Sequence, residues 1–193
     1  FDYCISNPPF GIDWKREAPI VEAEYKKGDA GRFGPGLPSK SDGQMLFLLN
    51  GVKKLKDTGR MAIIQNGSSL FTGDAGSGPS KIRQYLIEND WLDAIIQLPG
   101  NSFYNTGIAT YIWIITKNKP VERVGRVQLI DASKCYESRP KSIGNKRVDI
   151  SDACRELIVR AYGEYHNETY TVQTSEGQHI ICKSKVLDSV TFG

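Results

Sequence analysis

The sequence predicts an α/β protein with a mostly parallel sheet covered by helices on both faces. Three observations predict this class: short, largely apolar runs alternate with segments of helical periodicity, the run at residues 111–115 is apolar at every position, and Gly- or Pro-containing turns separate the segments. Strands that are apolar on both faces are typical of parallel sheets buried between helices.

The first elements follow this alternation. Residues 1–6 form a short apolar run, which we expect to be a buried strand ended by a proline pair. Residues 11–43 are rich in Gly, Pro, Lys and Asp, and their lack of periodicity predicts a long irregular loop. Ser41 or Asp42 is expected to cap the next helix, which Thr58-Gly59 ends. The inward positions of that helix are Met45, Leu48, Leu49, Val52 and Leu55.

The alternation continues further along the chain. Residues 61–65 predict a second buried strand, and Pro79 suits the first turn of a second helix. Residues 92–98 predict a third strand and residues 110–116 a fourth. Because no clear helix precedes the fourth strand, we expect it to be inserted antiparallel to the others.

The character of the sequence changes after Lys117, which predicts two parts, residues 1–118 and residues 119–193. The second part is expected to be a smaller α+β extension. Its expected elements are a strand at 126–131, a basic loop at 140–147, a helix that starts at Ser151, and a hairpin within 169–186.

Composition excludes several classes of protein. The 193 residues are 39% hydrophobic and 24% charged, as in ordinary soluble globular proteins. No apolar run approaches the roughly 20 residues that span a bilayer, so no membrane role is expected. The four cysteines and two histidines lack metal-ligand spacing, which predicts no metal site and reduced thiols in a cytoplasmic protein. The net charge of +3 is too small to indicate a partner.

Asn7-Pro8-Pro9-Phe10 directly follows the first predicted strand. In open α/β sheets, ligands lie beyond the carboxyl ends of the strands. An aromatic amino group is a poor nucleophile toward a methyl sulfonium because its lone pair is delocalised into the ring. Two acceptors that hold its two N–H groups let the nitrogen become tetrahedral, and the Asn7 side-chain oxygen and the Pro8 carbonyl can provide them.

The remaining residues of the motif suit the same chemistry. Pro8 and Pro9 restrict the backbone, so the two oxygens are held stiffly. Phe10 offers a flat face for a base flipped out of a duplex, a contact worth on the order of 1–3 kcal/mol. The motif therefore predicts methylation of an amino group through positioning, without a charged general base.

The motif matches that of S-adenosylmethionine-dependent amino methyltransferases, some of which have Asp or Ser first and Tyr or Trp last. Longer strings resemble the modification subunit of type I restriction–modification systems, a DNA adenine N6-methyltransferase. The resemblance covers roughly residues 1–150. The strings are SDGQMLFLLN (41–50), NGSSLFTGDAGSG (66–78), FYNTGIATYIWII (103–115) and GRVQLIDA (125–132).

The resemblance implies roles and partners. Asn7 and the Pro8 carbonyl would hold the target amino group, Phe10 would stack on the adenine, and residues 1–118 would be the carboxyl-terminal half of a Rossmann-like catalytic domain. Two modification subunits would assemble with one DNA-reading specificity subunit, to which restriction subunits add. Residues expected to contact double-stranded DNA are Lys15, Arg16, Lys26, Lys27, Arg32, Thr72, Asp74 and Ser77.

The cofactor implied is S-adenosylmethionine, but its main binding turn is expected to precede the motif in the family. Only Asn7 would border the cofactor pocket, and the order of glycines in Gly73–Gly78 is wrong for a GxGxxG turn. We therefore expect this chain alone to bind S-adenosylmethionine weakly or not at all.

Two other functions remain open at this point. A protein glutamine or RNA amino methyltransferase can use the same turn, because a planar amide offers the same two N–H groups. A non-catalytic assembly module is the second alternative, and the intact Asn7 and Phe10 speak against it.

Overall fold

Most strands of the chain join one mixed sheet, in which antiparallel pairs outnumber parallel ones, contrary to the mostly parallel sheet that the sequence predicts. The computed structural model describes residues 1–174 and 177–192. Its strands are β1 (Tyr3–Ser6), β2 (Arg60–Asn66), β3 (Leu92–Gln97), β4 (Thr110–Thr116), β5 (Arg126–Asp131), β6 (Glu137–Ile143), β7 (Lys146–Asp149), β8 (Glu168–Thr174) and β9 (Gly177–Asp188). Seven of them form a sheet in the order β1-β2-β4-β3-β5-β9-β8, and β6 pairs with β7 in a separate hairpin.

Helices cover both faces of this sheet, as the α/β class requires. They are α1 (Ala18–Tyr25), α2 (Gln44–Lys54), α3 (Ser68–Phe71), α4 (Gly78–Glu88), α5 (Asp152–Glu164) and α6 (Ser189–Phe192), with 3-10 turns at Gly28–Ala30 and Val121–Arg123. Side chains of α2 and α4 share one apolar core with β2, β3 and β4, and α5 contributes to a second core on the other face. Within the described residues, no helix is long and apolar enough to cross a membrane.

Strand directions place several strand ends together. β1 pairs parallel with β2, β3 pairs parallel with β5, and β4 lies antiparallel between β2 and β3. The antiparallel insertion of β4 is therefore confirmed, and its connection from β3 needs no crossover helix. The carboxyl ends of β1, β2, β3 and β5 all lie at one edge of the sheet, which we call the carboxyl edge.

The position of β4 inside the sheet explains why residues 111–115 are all apolar. Trp113 and Ile115 face the core shared with α2 and α4, whereas Ile112 and Ile114 pack against the core formed with α5. Because successive side chains of a strand point to opposite faces, a strand in the middle of a covered sheet needs apolar residues at every position.

The expectation that residues 1–6 form a buried strand was wrong about burial. β1 is the edge strand of the sheet, and the side chains of Tyr3 and Ile5 are 79% and 91% exposed. Cys4, which points to the opposite face, packs against the core under α2. An apolar run identifies a strand, but not which of its faces the rest of the chain covers.

The predicted irregular loop at residues 11–43 was also wrong. The segment contains α1 and a 3-10 turn, and it buries Trp14, Val21 and Phe33 in the core beside α2. α1 has only eight residues, too few to show clear helical periodicity, and the three buried residues are widely spaced in sequence.

The basic loop predicted at residues 140–147 is instead most of the β6–β7 hairpin. Gly144, with φ of +56°, and Asn145 link the two strands. Pro140 lies within β6, which pairs with β7 alone, and an edge strand tolerates a residue without an N–H group. Pro140 and the closely spaced cations interrupt the alternation of apolar and polar residues by which a strand is recognised in a sequence.

The other elements of the extension follow the prediction. The Ser151 hydroxyl accepts a hydrogen bond from the Cys154 backbone N–H at 3.3 Å and caps α5. β8 and β9 form the expected hairpin, although residues 175 and 176 lie outside the described residues. β5 and β9 join the same sheet as β1–β4, so the division after residue 118 remains a prediction.

A buried ion pair joins the extension to the sheet at the edge opposite the carboxyl edge. Asp93, on β3, is completely buried, and its carboxylate lies 3.3 Å from both Arg123 Nη1 and Arg60 Nη2. The Arg123 guanidinium lies 4.2 Å from the ring centre of Tyr162 on α5 and 3.9 Å from that of Tyr165. Each member therefore has partners from other elements, as buried charges require.

The Tyr162 hydroxyl donates a hydrogen bond to the Asp93 carboxylate. Burial, together with this contact to an anion, raises the pKa of Tyr162 to about 12. The phenol therefore stays protonated at neutral pH and remains a donor. Gln128 extends the contacts by donating to the Ala161 carbonyl at 2.8 Å and to the Ser184 hydroxyl at 2.9 Å.

Candidate active site at the carboxyl edge

The Asn7-Pro8-Pro9-Phe10 motif leaves β1 at the carboxyl edge of the sheet. Asn7 and Pro9 are exposed, Phe10 is half-buried and Pro8 is buried. Gly11 follows with φ of +65°, a conformation that side-chain-bearing residues rarely adopt, and it turns the chain away from the motif.

Both oxygens assigned to the target amino group are unoccupied by other parts of the protein. Within the described residues, no group donates a hydrogen bond to the Asn7 side chain or to the Pro8 carbonyl. Both lone pairs of each oxygen are therefore available to an N–H group of a substrate. The prolines contribute no N–H groups that could compete for them.

The segment after the motif is anchored to the start of α2. The Ile12 carbonyl accepts a hydrogen bond from the Gly43 N–H at 2.8 Å, and the Trp14 N–H donates to the Lys40 carbonyl at 3.0 Å. The Trp14 indole N–H also donates to the Ser39 carbonyl at 2.9 Å. These bonds, with the burial of Trp14, hold the motif between a strand end and a helix start.

A polar cluster stabilises that helix start against the end of β2. It consists of Asp42, Gln44, Asn66 and Ser68, which we call the Gln44 cluster. The Gln44 amide nitrogen donates to Asn66 Oδ1 at 2.7 Å and to Asp42 Oδ2 at 3.1 Å, and it contacts the Ser68 hydroxyl. The Gln44 oxygen accepts from the Asn66 backbone N–H at 3.1 Å, and the Ser68 hydroxyl donates to Asp42 Oδ2 at 2.6 Å.

This cluster lies beside the motif, because β1 and β2 are parallel neighbours and both end at the carboxyl edge. Gln44 is only 1% exposed, so its amide depends on these protein partners rather than on water. Sequence reasoning missed the roles of Gln44, Asn66 and Ser68. The available signal was a glutamine at the core-facing start of an otherwise apolar helix.

We expect Gln44→Leu to lower the free energy of unfolding by about 1–3 kcal/mol, because it leaves buried polar groups of the cluster without partners. Urea denaturation of the chain followed by circular dichroism measures this loss. Gln84→Leu, on the exposed side of α4, is the matched control and is expected to change stability by less than about 0.5 kcal/mol. Equal effects of the two substitutions would contradict the role assigned to the cluster.

Three of the cations expected to contact DNA lie away from the motif. Lys27 and Arg32 both pair with Glu24, at 2.5 and 3.3 Å, and Lys26 follows the end of α1. The hydrogen bond from the Lys27 ammonium, together with that from the Arg32 backbone N–H group, lowers the pKa of Glu24 to about 2.

The Arg32 side chain also donates to Asn50 in the middle of α2, and Lys53, near the end of that helix, contacts the Asp29 carbonyl. This segment therefore lies along the half of α2 that points away from the carboxyl edge. Lys15 and Arg16 are exposed and lie five and six residues after Phe10.

Thr72, Asp74 and Ser77 lie in the loop between α3 and α4, at the carboxyl edge. Thr72 and Asp74 are exposed, whereas the Ser77 hydroxyl is buried without a partner among the described residues. Arg83 anchors the loop by donating to the Ser69 and Thr72 carbonyls at 3.2 and 3.0 Å. Burial lowers the pKa of Arg83 from its ordinary value.

Two glycines of this loop approach other groups of the protein closely. A Cβ on Gly78 would lie 1.7 Å from the Leu37 carbonyl oxygen, and one on Gly73 would lie 2.3 Å from the Ser77 hydroxyl. These glycines are required by contacts within the protein. Among the described residues no group of three or more His, Cys, Asp or Glu is placed to hold a metal ion.

A groove of about 800 Å³ runs beside α4, but it does not include the motif. Its apolar walls include Ile87, Ile95 and Trp113, and it extends toward the edge opposite the carboxyl edge, at Val124 and Gly125. None of residues 7–10 lines it, so the groove and the candidate site at the carboxyl edge are separate.

Family comparison identifies the protein class to which this geometry belongs. A family model described as N-6 DNA Methylase matches residues 1–191. The chain belongs to the N-6 DNA methylase family. It is 31% identical over 158 residues to the type I restriction enzyme MjaVII methylase subunit of Methanocaldococcus jannaschii, a match that covers 77% of this chain and 26% of that protein.

Other family members extend the match to nearly the whole chain. The type I restriction enzyme HindI methylase subunit of Haemophilus influenzae is 26% identical over 193 residues, covering 98% of this chain and 38% of that protein. A crystal structure of the type I restriction-modification methyltransferase subunit from Streptococcus thermophilus superposes with a TM-score of 0.77 at 29% identity, covering 98% of this chain and 35% of that one. The chain thus spans about a quarter to two fifths of the relatives it matches.

The resemblance seen in the sequence strings is therefore confirmed, and so is the predicted fold class. The N-6 DNA methylase fold places the Asn7–Phe10 motif at the sheet edge where α/β proteins bind their ligands. The assignment of individual site residues remains a proposal.

Proposed function

We propose that this chain holds the target adenine in a DNA adenine N6-methyltransferase, the modification subunit of a type I restriction–modification system. The observation that carries the proposal is the Asn7-Pro8-Pro9-Phe10 motif, with two free acceptor oxygens at the carboxyl edge of an N-6 DNA methylase fold. The methyl group would come from S-adenosylmethionine, which supplies an electrophilic methyl sulfonium when bound.

Each residue of the motif has a separate role in this proposal. Asn7 Oδ1 and the Pro8 carbonyl each accept one N–H group of the adenine amino group, so its lone pair turns out of the ring plane. Phe10 stacks on the base and partly offsets the few kcal/mol lost on extracting it from the duplex. Pro9 keeps the turn stiff, so little reorganisation is needed during the reaction.

The partners follow from the relatives, which are subunits of type I restriction enzymes. We propose assembly with a DNA-reading specificity subunit and a second modification subunit, to which a restriction subunit adds. Of the proposed DNA contacts, Lys15, Arg16, Thr72 and Asp74 have the most favourable placement. A cytoplasmic location is also proposed, since all four cysteines are free thiols.

The test uses the methylation-competent protein, by which we mean the full-length chain with the subunits that it requires. Incubation with radiolabelled S-adenosylmethionine and duplex DNA is expected to yield labelled N6-methyladenine in the hydrolysed DNA. Parallel reactions with RNA and with glutamine-containing protein substrates are expected to remain unlabelled. Labelling of glutamine or RNA in preference to DNA would exclude the proposed substrate.

A further inference from the structure

The β6–β7 hairpin carries an excess of positive charge that the proposed reaction does not use. Together with Lys134, which precedes β6, the hairpin spans residues 134–149 and contains five cationic and two acidic side chains, a net charge of +3 that equals the net charge of all 193 residues. The five cationic residues are Lys134, Arg139, Lys141, Lys146 and Arg147. A local excess of this size marks a surface suited to a polyanion.

Two of these cations are already partly neutralised. Arg139 and Lys146 share one carboxylate, that of Asp149, at 2.5 and 2.8 Å. The Lys146 ammonium, with Arg139 nearby, holds the pKa of Asp149 below its ordinary range. Lys134, Lys141 and Arg147 are exposed, and none of them forms an ion pair within the described residues.

Backbone contacts hold the hairpin against the loop that follows β3. The Asn145 N–H donates to the Tyr104 carbonyl at 2.9 Å, and the Arg147 N–H donates to the Asn101 carbonyl at 2.9 Å. Gly144 approaches this loop so closely that a Cβ there would lie 2.5 Å from the Tyr104 oxygen. The hairpin is therefore fixed to the protein rather than projecting freely into solvent.

This attachment places the cations at the carboxyl edge. β3 ends at Gln97 on the same edge as β1, three strand positions away in the order β1-β2-β4-β3. At about 4.8 Å per strand, the loop begins about 14 Å from the motif. At about 3.4 Å per base step this separation corresponds to about four base pairs, so a duplex bound at the motif and extending along this edge would reach the loop that holds the hairpin.

We propose that the β6–β7 hairpin is a phosphate-binding surface for duplex DNA, with Lys141 and Arg147 as its main contacts beside the target base. This inference rests on the proposed function, because it takes duplex DNA as the ligand. Phosphate contacts position a duplex without reading its sequence, which suits a chain whose sequence recognition belongs to a partner subunit.

The test compares the methylation-competent protein with its Lys141→Gln/Arg147→Gln double variant. DNA binding is measured by fluorescence anisotropy over a series of salt concentrations. Removing two phosphate contacts is expected to reduce the slope of log K against log salt by about 2 and to weaken binding of cognate and non-cognate duplexes alike. The KM for DNA is expected to rise, while kcat at saturating DNA stays unchanged.

A charge-matched control removes two exposed cations from the opposite edge of the sheet. Lys54→Gln/Arg126→Gln changes the net charge equally, but Lys54 ends α2 and Arg126 begins β5, both away from the carboxyl edge. This control is expected to leave the salt slope unchanged. An equal decrease of the salt slope in both double variants would show that the effect comes from net charge alone. That result would overturn the assignment of the hairpin.

Other results are equally decisive. An unaltered salt slope and KM in the hairpin variant, with methylation of DNA intact, would overturn the hairpin proposal and leave the proposed function standing. Loss of subunit assembly with unchanged DNA binding would assign the surface to a protein partner instead. Failure of the unsubstituted protein to methylate DNA would reject the proposed function itself.

Discussion

Replacing Asn7 by alanine is expected to lower kcat for adenine methylation in the methylation-competent protein by about 10²–10³-fold, the usual cost of removing one polar group that stabilises developing charge. The side chain is exposed and has no hydrogen-bond partner among the described residues, so its loss should cost little folding energy. Single-turnover methyl transfer at saturating DNA and S-adenosylmethionine measures the effect, and anisotropy checks that DNA binding is retained.

Two further variants separate the acceptor role from a general effect of mutation. Asn7→Asp keeps an acceptor oxygen and is expected to retain more activity than Asn7→Ala, since some relatives of the motif begin with Asp. Asn118→Ala removes an exposed asparagine just beyond β4, at the edge opposite the motif, and is expected to be neutral. If Asn7→Ala methylated DNA at the original rate, the catalytic assignment would be wrong.

The second large effect is expected at the buried ion pair of Asp93 and Arg123. Arg123→Ala leaves the completely buried Asp93 carboxylate with only Arg60 and Tyr162, and removes the cation stacked on Tyr162 and Tyr165. Breaking a buried pair costs about 3–5 kcal/mol when the remaining charge is uncompensated, and because Arg60 still pairs with Asp93 we expect a loss toward the lower end of that range. Because small domains have about 5–15 kcal/mol of stability in total, we expect a large fall in the urea midpoint.

The exposed ion pair between Asp2 and Lys56 provides the control for this prediction. Its side chains are more than 60% exposed, and Lys56→Ala is expected to cost at most about 1 kcal/mol. If the two substitutions lowered stability equally, the buried pair would not be what joins α5 to the sheet. Since Arg123 links the extension to β3, we expect its loss to destabilise residues 1–118 and residues 119–193 together, in one cooperative unfolding transition.

Much of the fold followed directly from the sequence. Strands β2 to β5 and helices α2, α4 and α5 were anticipated because their apolar residues repeat at the spacing of the element. The antiparallel direction of β4 followed from the short connection before it. Local interactions and binary patterning decide such elements, and both can be read from neighbouring residues.

Prediction from the sequence failed where the burial of a residue depends on contacts with distant parts of the chain. The exposure of β1 is decided by which strands and helices lie beside it, and the ordering of residues 11–43 depends on three apolar residues meeting a helix further along the chain. The β6–β7 hairpin was missed because it pairs only with itself and carries a proline. The Arg123–Asp93 pair was missed because its members are thirty residues apart in sequence and meet only in the folded state.

The sequence by itself determined the family and predicted the chemistry of the Asn7–Phe10 motif, because that information lies in contiguous strings of residues. The tertiary structure decided which residues share the carboxyl edge with the motif. It brought the Gln44 cluster and the β6–β7 hairpin to that edge, and it placed Lys27 and Arg32 against Glu24 instead. The reason is physical: strand direction and order set which chain segments meet, and no local pattern encodes that arrangement.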